Sequence, residues 1–299
     1  MYAGVEVAPL SACVAAMAMI RDWIHRCASR LAAATATTRD PLLCGLVDAV
    51  QSGWYDQHRG ALAPGFDIGP AHRVLDLGCG EGGASLFCAR QGGQVIYADA
   101  DIDKLLSVQA RISAIAAASL PLFCDGAQLA LADASVDRII AMEMLEHTED
   151  PQAVLAELAR VGRPGALYLL TVPHARAEHL QQGIAPEAFF QAPNHVHIFE
   201  EADFLQRVAS VGLEIVSSDG TGFYWVFGLL LFWIAEREAG RSLSGPALDK
   251  LTPPFPVSMQ QWAMLWREVL TSASGRLLKQ RLDRLLPKSL VVLARRPQT

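Results

Sequence analysis

The chain has 299 residues, 52% hydrophobic and 19% charged, with 25 Lys+Arg against 31 Asp+Glu and a net charge of −6. This composition excludes an intrinsically disordered chain, and the acidic balance argues against a nucleic-acid backbone binder. Six cysteines without a C-x-x-C pair, in a chain too long for a disulfide scaffold, read as reduced thiols of a cytoplasmic protein.

The first 60 residues read as helices. Ala8 to Ile20 is apolar, but only Glu6 precedes it, so it lacks the positive n-region of a signal peptide. It is also too short to cross a bilayer. Translation from Met17 or Met19 is an alternative start.

From about residue 74 the pattern changes. Apolar runs predict strands over 74–77, 95–98, 120–124, 138–142, 165–172 and 213–216. Amphipathic spacing predicts helices over 84–90, 103–117, 151–161 and 202–211. Such alternation means βαβ units, and hence an α/β fold with a doubly wound, mostly parallel sheet. Residues 220–287 read as apolar and helical, with turns at Gly240, Pro246 and Pro253-Pro254, and Leu290 to Ala294 reads as a last edge strand. The expected division is a helical extension over 1–60, a core over 61–219, a helical lid over 220–287 and the core's last strand over 288–299.

Between the first strand and its helix lies Val74-Leu75-Asp76-Leu77-Gly78-Cys79-Gly80-Glu81-Gly82-Gly83. Glycines there let backbone approach a ligand, and the following helix offers free N–H donors. Gly78, Gly80 and Gly83 satisfy the G-x-G-x-x-G spacing of dinucleotide sites, so an NAD-type oxidoreductase is one reading. Asp76 opposes it, because a carboxylate there would repel a pyrophosphate and suit a cationic ligand such as S-adenosylmethionine. Asp99 ends the second strand, placed to accept from ribose hydroxyls. Asp125-Gly126 ends the third strand, placed for an adenine edge.

These residues resemble the first motif of class I S-adenosylmethionine-dependent methyltransferases. Asp137 to Ile140, Glu146-His147, Pro151 and Arg160 to Gly165 are similar to the later motifs, in order. The resemblance covers about residues 54–217 and implies a seven-stranded Rossmann-like methyltransferase fold. It implies cofactor contacts at Asp76, Gly78, Cys79 and Gly80 for the methionine part, Asp99 and Ala100 for the ribose, Asp125 and Gly126 for the adenine, and Glu143. A methyltransferase-fold binding module without catalysis is a further alternative, marked by a spoiled cofactor loop, which this chain lacks.

Glu143-Met144-Leu145-Glu146-His147 follows the fourth strand and resembles the E-x-x-E-H of ubiquinone-pathway O-methyltransferases. Val196-His197-Ile198-Phe199-Glu200 resembles a D-H-x-F-E segment, with Val196 in place of the acid. The resemblance implies a divalent metal such as Mg²⁺ on Glu143, Glu146, His147 and His197. Without metal, His147 or His197 is the candidate general base. The expected acceptor is small or lipid-like and methylated at oxygen.

Residues 223–235 hold six aromatics, and the expectation is a core helix under the acceptor lid. A pocket for an apolar acceptor and peripheral contact with a membrane surface are the alternatives. Near the C-terminus, Leu277, Leu278, Leu282, Leu285 and Leu286 form one face of a basic helix. A solvated amphipathic helix is expected there, with anionic-lipid contact as the alternative.

Overall fold

The computed structural model describes residues 39–115, 118–242 and 250–298. The expected helices and apolar run over 1–38, and the turn at Pro246, lie outside the described residues.

Seven strands form one sheet: β1 (Arg73–Leu77), β2 (Gln94–Asp99), β3 (Ser119–Phe123), β4 (Val136–Met142), β5 (Gly162–Pro173), β6 (Glu214–Thr221) and β7 (Ser289–Arg295). Their order is β3-β2-β1-β4-β5-β7-β6. The first five pair in parallel, and β7 runs antiparallel to both β5 and β6. The strand order reverses between β1 and β4. Their carboxyl ends therefore open a crevice, the place where sheets of this kind take ligands.

Nine helices are described: α1 (Pro41–Gln51), α2 (Gly83–Arg90), α3 (Ile102–Ile112), α4 (Pro151–Val161), α5 (Ala175–Gln181), α6 (Glu201–Ser210), α7 (Phe223–Glu238), α8 (Val257–Thr271) and α9 (Ala273–Leu285). Local chemistry starts several of them. Asp40, Asp101 and Asp150 accept backbone N–H bonds at the N-caps of α1, α3 and α4.

Strand alternation sorts the core onto two faces. Leu75, Leu77, Ile139 and Ala141 pack with Val154, Leu158, Phe204 and Val208 of α4 and α6. Val74, Val95, Tyr97 and Ile140 pack with Phe87, Leu105 and Val108 of α2 and α3.

The aromatic segment forms α7, with Tyr224, Val226, Phe232 and Trp233 buried. Tyr224 Oη donates to Pro41 O at 2.9 Å and Trp262 Nε1 to Tyr224 O at 2.9 Å, which ties α1, α7 and α8 together. No described helix is long and apolar enough to cross a membrane.

Helix α9 is oriented against its apolar pattern. Leu277, Leu278 and Leu285 are 50%, 45% and 67% exposed, whereas Lys279 and Asp283 are 2% and 6% exposed. The reason is a buried ion triad. Lys279 Nζ lies 3.2 Å from Asp48 Oδ2 and 2.5 Å from Asp283 Oδ2. Trp266 Nε1 donates to Asp48 Oδ1 at 2.7 Å, and Phe223 N to Asp283 Oδ1 at 2.9 Å. Buried charge is tolerated where it is paired and hydrogen-bonded, as here, and the triad pins α9 onto α1, α7 and α8.

Candidate active site

The glycine loop joins β1 to α2. Gly78 and Gly80 have φ of 70° and 50°, in the left-handed region that glycine enters without a Cβ penalty. A Cβ on Gly78 would fall 2.7 Å from Met144 Cβ, so Gly78 is required by contact with the turn after β4. A Cβ on Gly80 would meet no protein atom within 4 Å, so Gly80 faces open space. Gly80 N donates to Asp99 Oδ2 at 2.9 Å, which fastens the loop to the end of β2.

Two of the expected contact residues sit differently. Asp76 is 2% exposed, and its Oδ2 accepts from Ser85 Oγ of α2 at 2.5 Å. Burial pushes its carboxyl up to about 6, against the Ser85 hydroxyl, which lowers it. Asp76 thus braces the loop from behind. Cys79 turns its side chain into the core, where burial raises the thiol above its usual range. Ala100 is exposed after β2, and Asp125 is exposed after β3, its Oδ1 accepting from Ala127 N at 3.0 Å. Gly126, with φ 85°, packs its backbone against Leu77 and Val154. Near these acids Ile102 and Phe123 are 52% and 65% exposed. Periodicity hides them, because Ile102 reads as a helix start and Phe123 as strand interior.

Past β4 the chain turns sharply at Glu143, φ 51°. Thr171 Oγ1 donates to its Oε1 at 3.1 Å, and the Lys288 ammonium contacts its Oε2. Burial alone would raise the Glu143 carboxyl, but Lys288 outweighs it and holds the group below the usual range. Glu146 is 0% exposed, and neither of its carboxylate oxygens has a hydrogen-bond partner. Burial, reinforced by Glu143, pushes its carboxyl well above the usual range.

The two histidines expected as candidate bases each use one ring nitrogen to hold a loop in place. His147 Nδ1 lies 3.1 Å from Pro193 O and 3.0 Å from Asn194 O, so it donates to carbonyls. His197 Nε2 donates to Thr148 O at 2.9 Å. In return, Val196 N and His197 N donate to Glu146 O at 2.9 and 3.3 Å. Segment 193–197 is thereby strapped to the turn after β4.

The loop presents His195, whose ring packs edge-on to His147 at 5.1 Å and against Phe189 at 4.4 Å. Glu178 Oε2 lies 2.8 Å from His195 Nδ1. A carboxylate only accepts, so in the neutral ring Nδ1 carries the proton and Nε2 the lone pair. Glu178 is itself buried at 1% exposure. Gln181 Nε2 donates to its Oε1 at 3.3 Å, and Trp233 Nε1 to Gln181 Oε1 at 3.0 Å. A chain of hydrogen bonds therefore runs from α7 to His195. The sequence carries a weak signal for this pair, since His195 stands in a histidine-rich loop and Glu178 looks like an ordinary helix surface residue.

The expected metal set does not assemble. Glu143 is engaged by Lys288, and the His197 ring by Thr148 O. Among the described residues, the ligand atoms that do converge, within 4.8 Å, belong to Glu146, His147 and His195. One carboxylate and two imidazoles match Mg²⁺ poorly, since that ion takes oxygen ligands. The Lys288 ammonium, close enough to act on Glu146 as well as Glu143, also opposes a dication. These residues do not fit the expected Mg²⁺.

Comparison with known proteins agrees with the fold and the loop. A family model described as a methyltransferase domain matches residues 75–170. The chain is 30% identical over 190 residues to a ubiquinone biosynthesis O-methyltransferase of Burkholderia thailandensis, covering 56% of this chain and 75% of that one. It is 40% identical over 118 residues to one from Hahella chejuensis, covering 34% of this chain and 44% of the relative. The [4+2]-cyclase SpnF shares the fold, with a TM-score of 0.53 at 17% identity over 85% of this chain and 81% of that one. So does a chain of the Haloferax volcanii complex of the Trm112 methyltransferase activator with a methyltransferase, with a TM-score of 0.51 at 16% identity over 88% of this chain and 100% of that one. The chain belongs to the class I S-adenosylmethionine-dependent methyltransferases. Within that class it is similar to the ubiquinone biosynthesis O-methyltransferases, and the oxidoreductase reading of its glycine spacing falls away.

Proposed function

We propose that this enzyme transfers a methyl group from S-adenosylmethionine to the oxygen of a small or lipid-like hydroxylated acceptor, with His195 as general base. The observation that carries the reading is the His195–Glu178 pair beside the turn after β4. It presents a free imidazole lone pair, at a ring whose side chain is 12% exposed, on the ligand side of the sheet. The names of the relatives, which are O-methyltransferases, support oxygen as the acceptor atom.

On this reading Gly80 leaves room for the methionine part while Gly78 lets the loop close on Met144, and Asp99 accepts from the ribose hydroxyls. Asp125 and Gly126 meet the adenine edge, with Ile102 and Phe123 as the apolar surfaces around the base. Asp76 acts through Ser85 and its charge. The acceptor hydroxyl donates to His195 Nε2. His195 takes that proton as the acceptor oxygen forms its bond to carbon; bound beside it, S-adenosylmethionine would supply the electrophilic methyl group, its sulfur keeping the electron pair of the carbon–sulfur bond. Glu178 steadies the imidazolium, which then loses its proton to water. The sulfonium is a good leaving group, so positioning and proton removal are what the protein supplies. Helices α7 and α8 and the 174–199 segment form the acceptor side.

The test uses S-adenosylmethionine with a labelled methyl group and catechol as the probe acceptor. Mass spectrometry showing O-methylated product is the expected result. Label found only on nitrogen or carbon across a panel of hydroxylated, amino and carbon-nucleophile probes would overturn the assignment.

A further inference from the structure

Three leucines of α9, Leu277, Leu278 and Leu285, point out of the molecule, while Leu282 packs against buried residues of α1, α7 and α8. At about 100° per residue, Leu277, Leu278, Arg281, Arg284 and Leu285 share an arc of about 120°. All five are exposed. Among the described residues neither Arg281 nor Arg284 has an ion-pair or hydrogen-bond partner. The opposite face is committed to the Lys279–Asp48–Asp283 triad, so the helix has no freedom to turn Leu277, Leu278 and Leu285 inward. At its C-terminal end Arg176 of α5 donates from Nη1 to Leu285 O at 3.2 Å, which carries the positive face on to α5.

An apolar strip interleaved with unpaired arginines, on a protein of net charge −6, is complementary to an anionic, apolar-cored surface. We infer that this face of α9, with Arg176, docks on an anionic lipid bilayer, with the leucines entering the headgroup boundary and the arginines on lipid phosphates. A protein partner would need acidic groups set between apolar pockets to meet the same strip, whereas a bilayer offers both without fixed register. The face backs onto α5, the helix that carries Glu178 two residues beyond Arg176. Docking there places the acceptor side of the molecule beside the membrane. The inference stands on the exposure of α9 and does not depend on the acceptor atom.

The experiment is flotation of the full chain with phosphatidylcholine vesicles, with and without 30% phosphatidylglycerol, a composition of about 30 mol percent anionic lipid. The wild type is expected to float with the anionic vesicles and to be released by salt. Each arginine at such a surface is worth about fivefold in partitioning, so Arg281→Glu with Arg284→Glu should lower it by tenfold or more. Leu277→Ser with Leu278→Ser and Leu285→Ser should lower it comparably while leaving S-adenosylhomocysteine affinity and the thermal midpoint near wild type, which separates docking from folding. A wild type that stays in the soluble fraction overturns the inference, as does a serine variant that floats as well as the wild type. A dimer in light scattering that the serine variant dissolves, with no flotation, assigns the face to a second copy instead.

Discussion

Glu178 Oε2 and His195 Nδ1 lie 2.8 Å apart across 17 residues of sequence, and the carboxylate is shut from solvent while the ring is partly open. That difference in exposure separates the orienting group from the reacting one. His195→Gln should lower turnover of catechol by roughly 100- to 10,000-fold, the usual range for a lost general base. The loss should be far smaller with 4-nitrocatechol, which is already ionised near neutral pH. Glu178→Gln, which still fills the site, should cost less and should shift the pH profile. Equal losses on both acceptors would count against His195 as the base.

The cofactor side makes a separate prediction. Asp99→Ala should weaken S-adenosylhomocysteine binding by roughly 1–3 kcal/mol in calorimetry through lost hydrogen bonds. Gly80→Val should weaken it further, since the Cβ would enter space that no protein atom occupies within 4 Å. The Asp76 carboxyl, raised by burial to about 6, adds a pH signature. As pH rises through about 6 it ionises and attracts the ligand's ammonium, so affinity should increase across that interval. Asp76→Asn should flatten the curve.

Glu146 is a buried carboxyl without a hydrogen-bond partner. Its folded-state affinity for a proton is raised above the usual value of 4.5, so the folded protein holds a proton that the unfolded chain releases. Its contribution to stability is therefore full below about pH 4.5 and is lost as pH rises through the raised value. Glu146→Gln should raise the thermal midpoint, by a margin that grows from pH 5 to pH 8. A margin that shrinks with pH would show that the carboxylate is charged and paired in the folded state.

With Lys288 against Glu143, the positive charge at this turn belongs to the chain itself. Catechol methylation should survive chelator treatment and gain little from added Mg²⁺, Mn²⁺ or Zn²⁺. Lys288→Met should leave Glu143 as an unpaired, partly buried acid and cost roughly 1–3 kcal/mol in denaturant unfolding. Abolition of activity by chelator, with recovery on adding metal, would assign the converging Glu146, His147 and His195 atoms to an ion.

The triad that orients α9 is testable on its own. Lys279→Met leaves Asp48 and Asp283 facing each other in the core, at a cost of roughly 3–5 kcal/mol by denaturant titration. A change under 1 kcal/mol would mean that apolar packing, and not the ion triad, holds α9.

The strands, their order in the chain, the glycine loop and the acids after β2 and β3 were legible in the sequence, because each rests on local spacing. Short apolar runs alternating with amphipathic stretches mark strands and helices by local spacing, and glycines between strand and helix need no distant partner to be recognised. Partner choice across the chain is different, because desolvation decides it and only proximity in space reveals it. In the sequence His147 and His197 stand out as candidate bases by their motifs, and His195 does not. The first two spend ring nitrogens on carbonyls 46 to 49 residues away, and His195 meets the buried Glu178. Glu143 looks like a metal ligand until Lys288, 145 residues on, arrives against it. The leucine face of α9 reads as the buried side, but Lys279 and Asp283 find Asp48 and the Phe223 amide inside, and satisfying those charges turns Leu277, Leu278 and Leu285 outward.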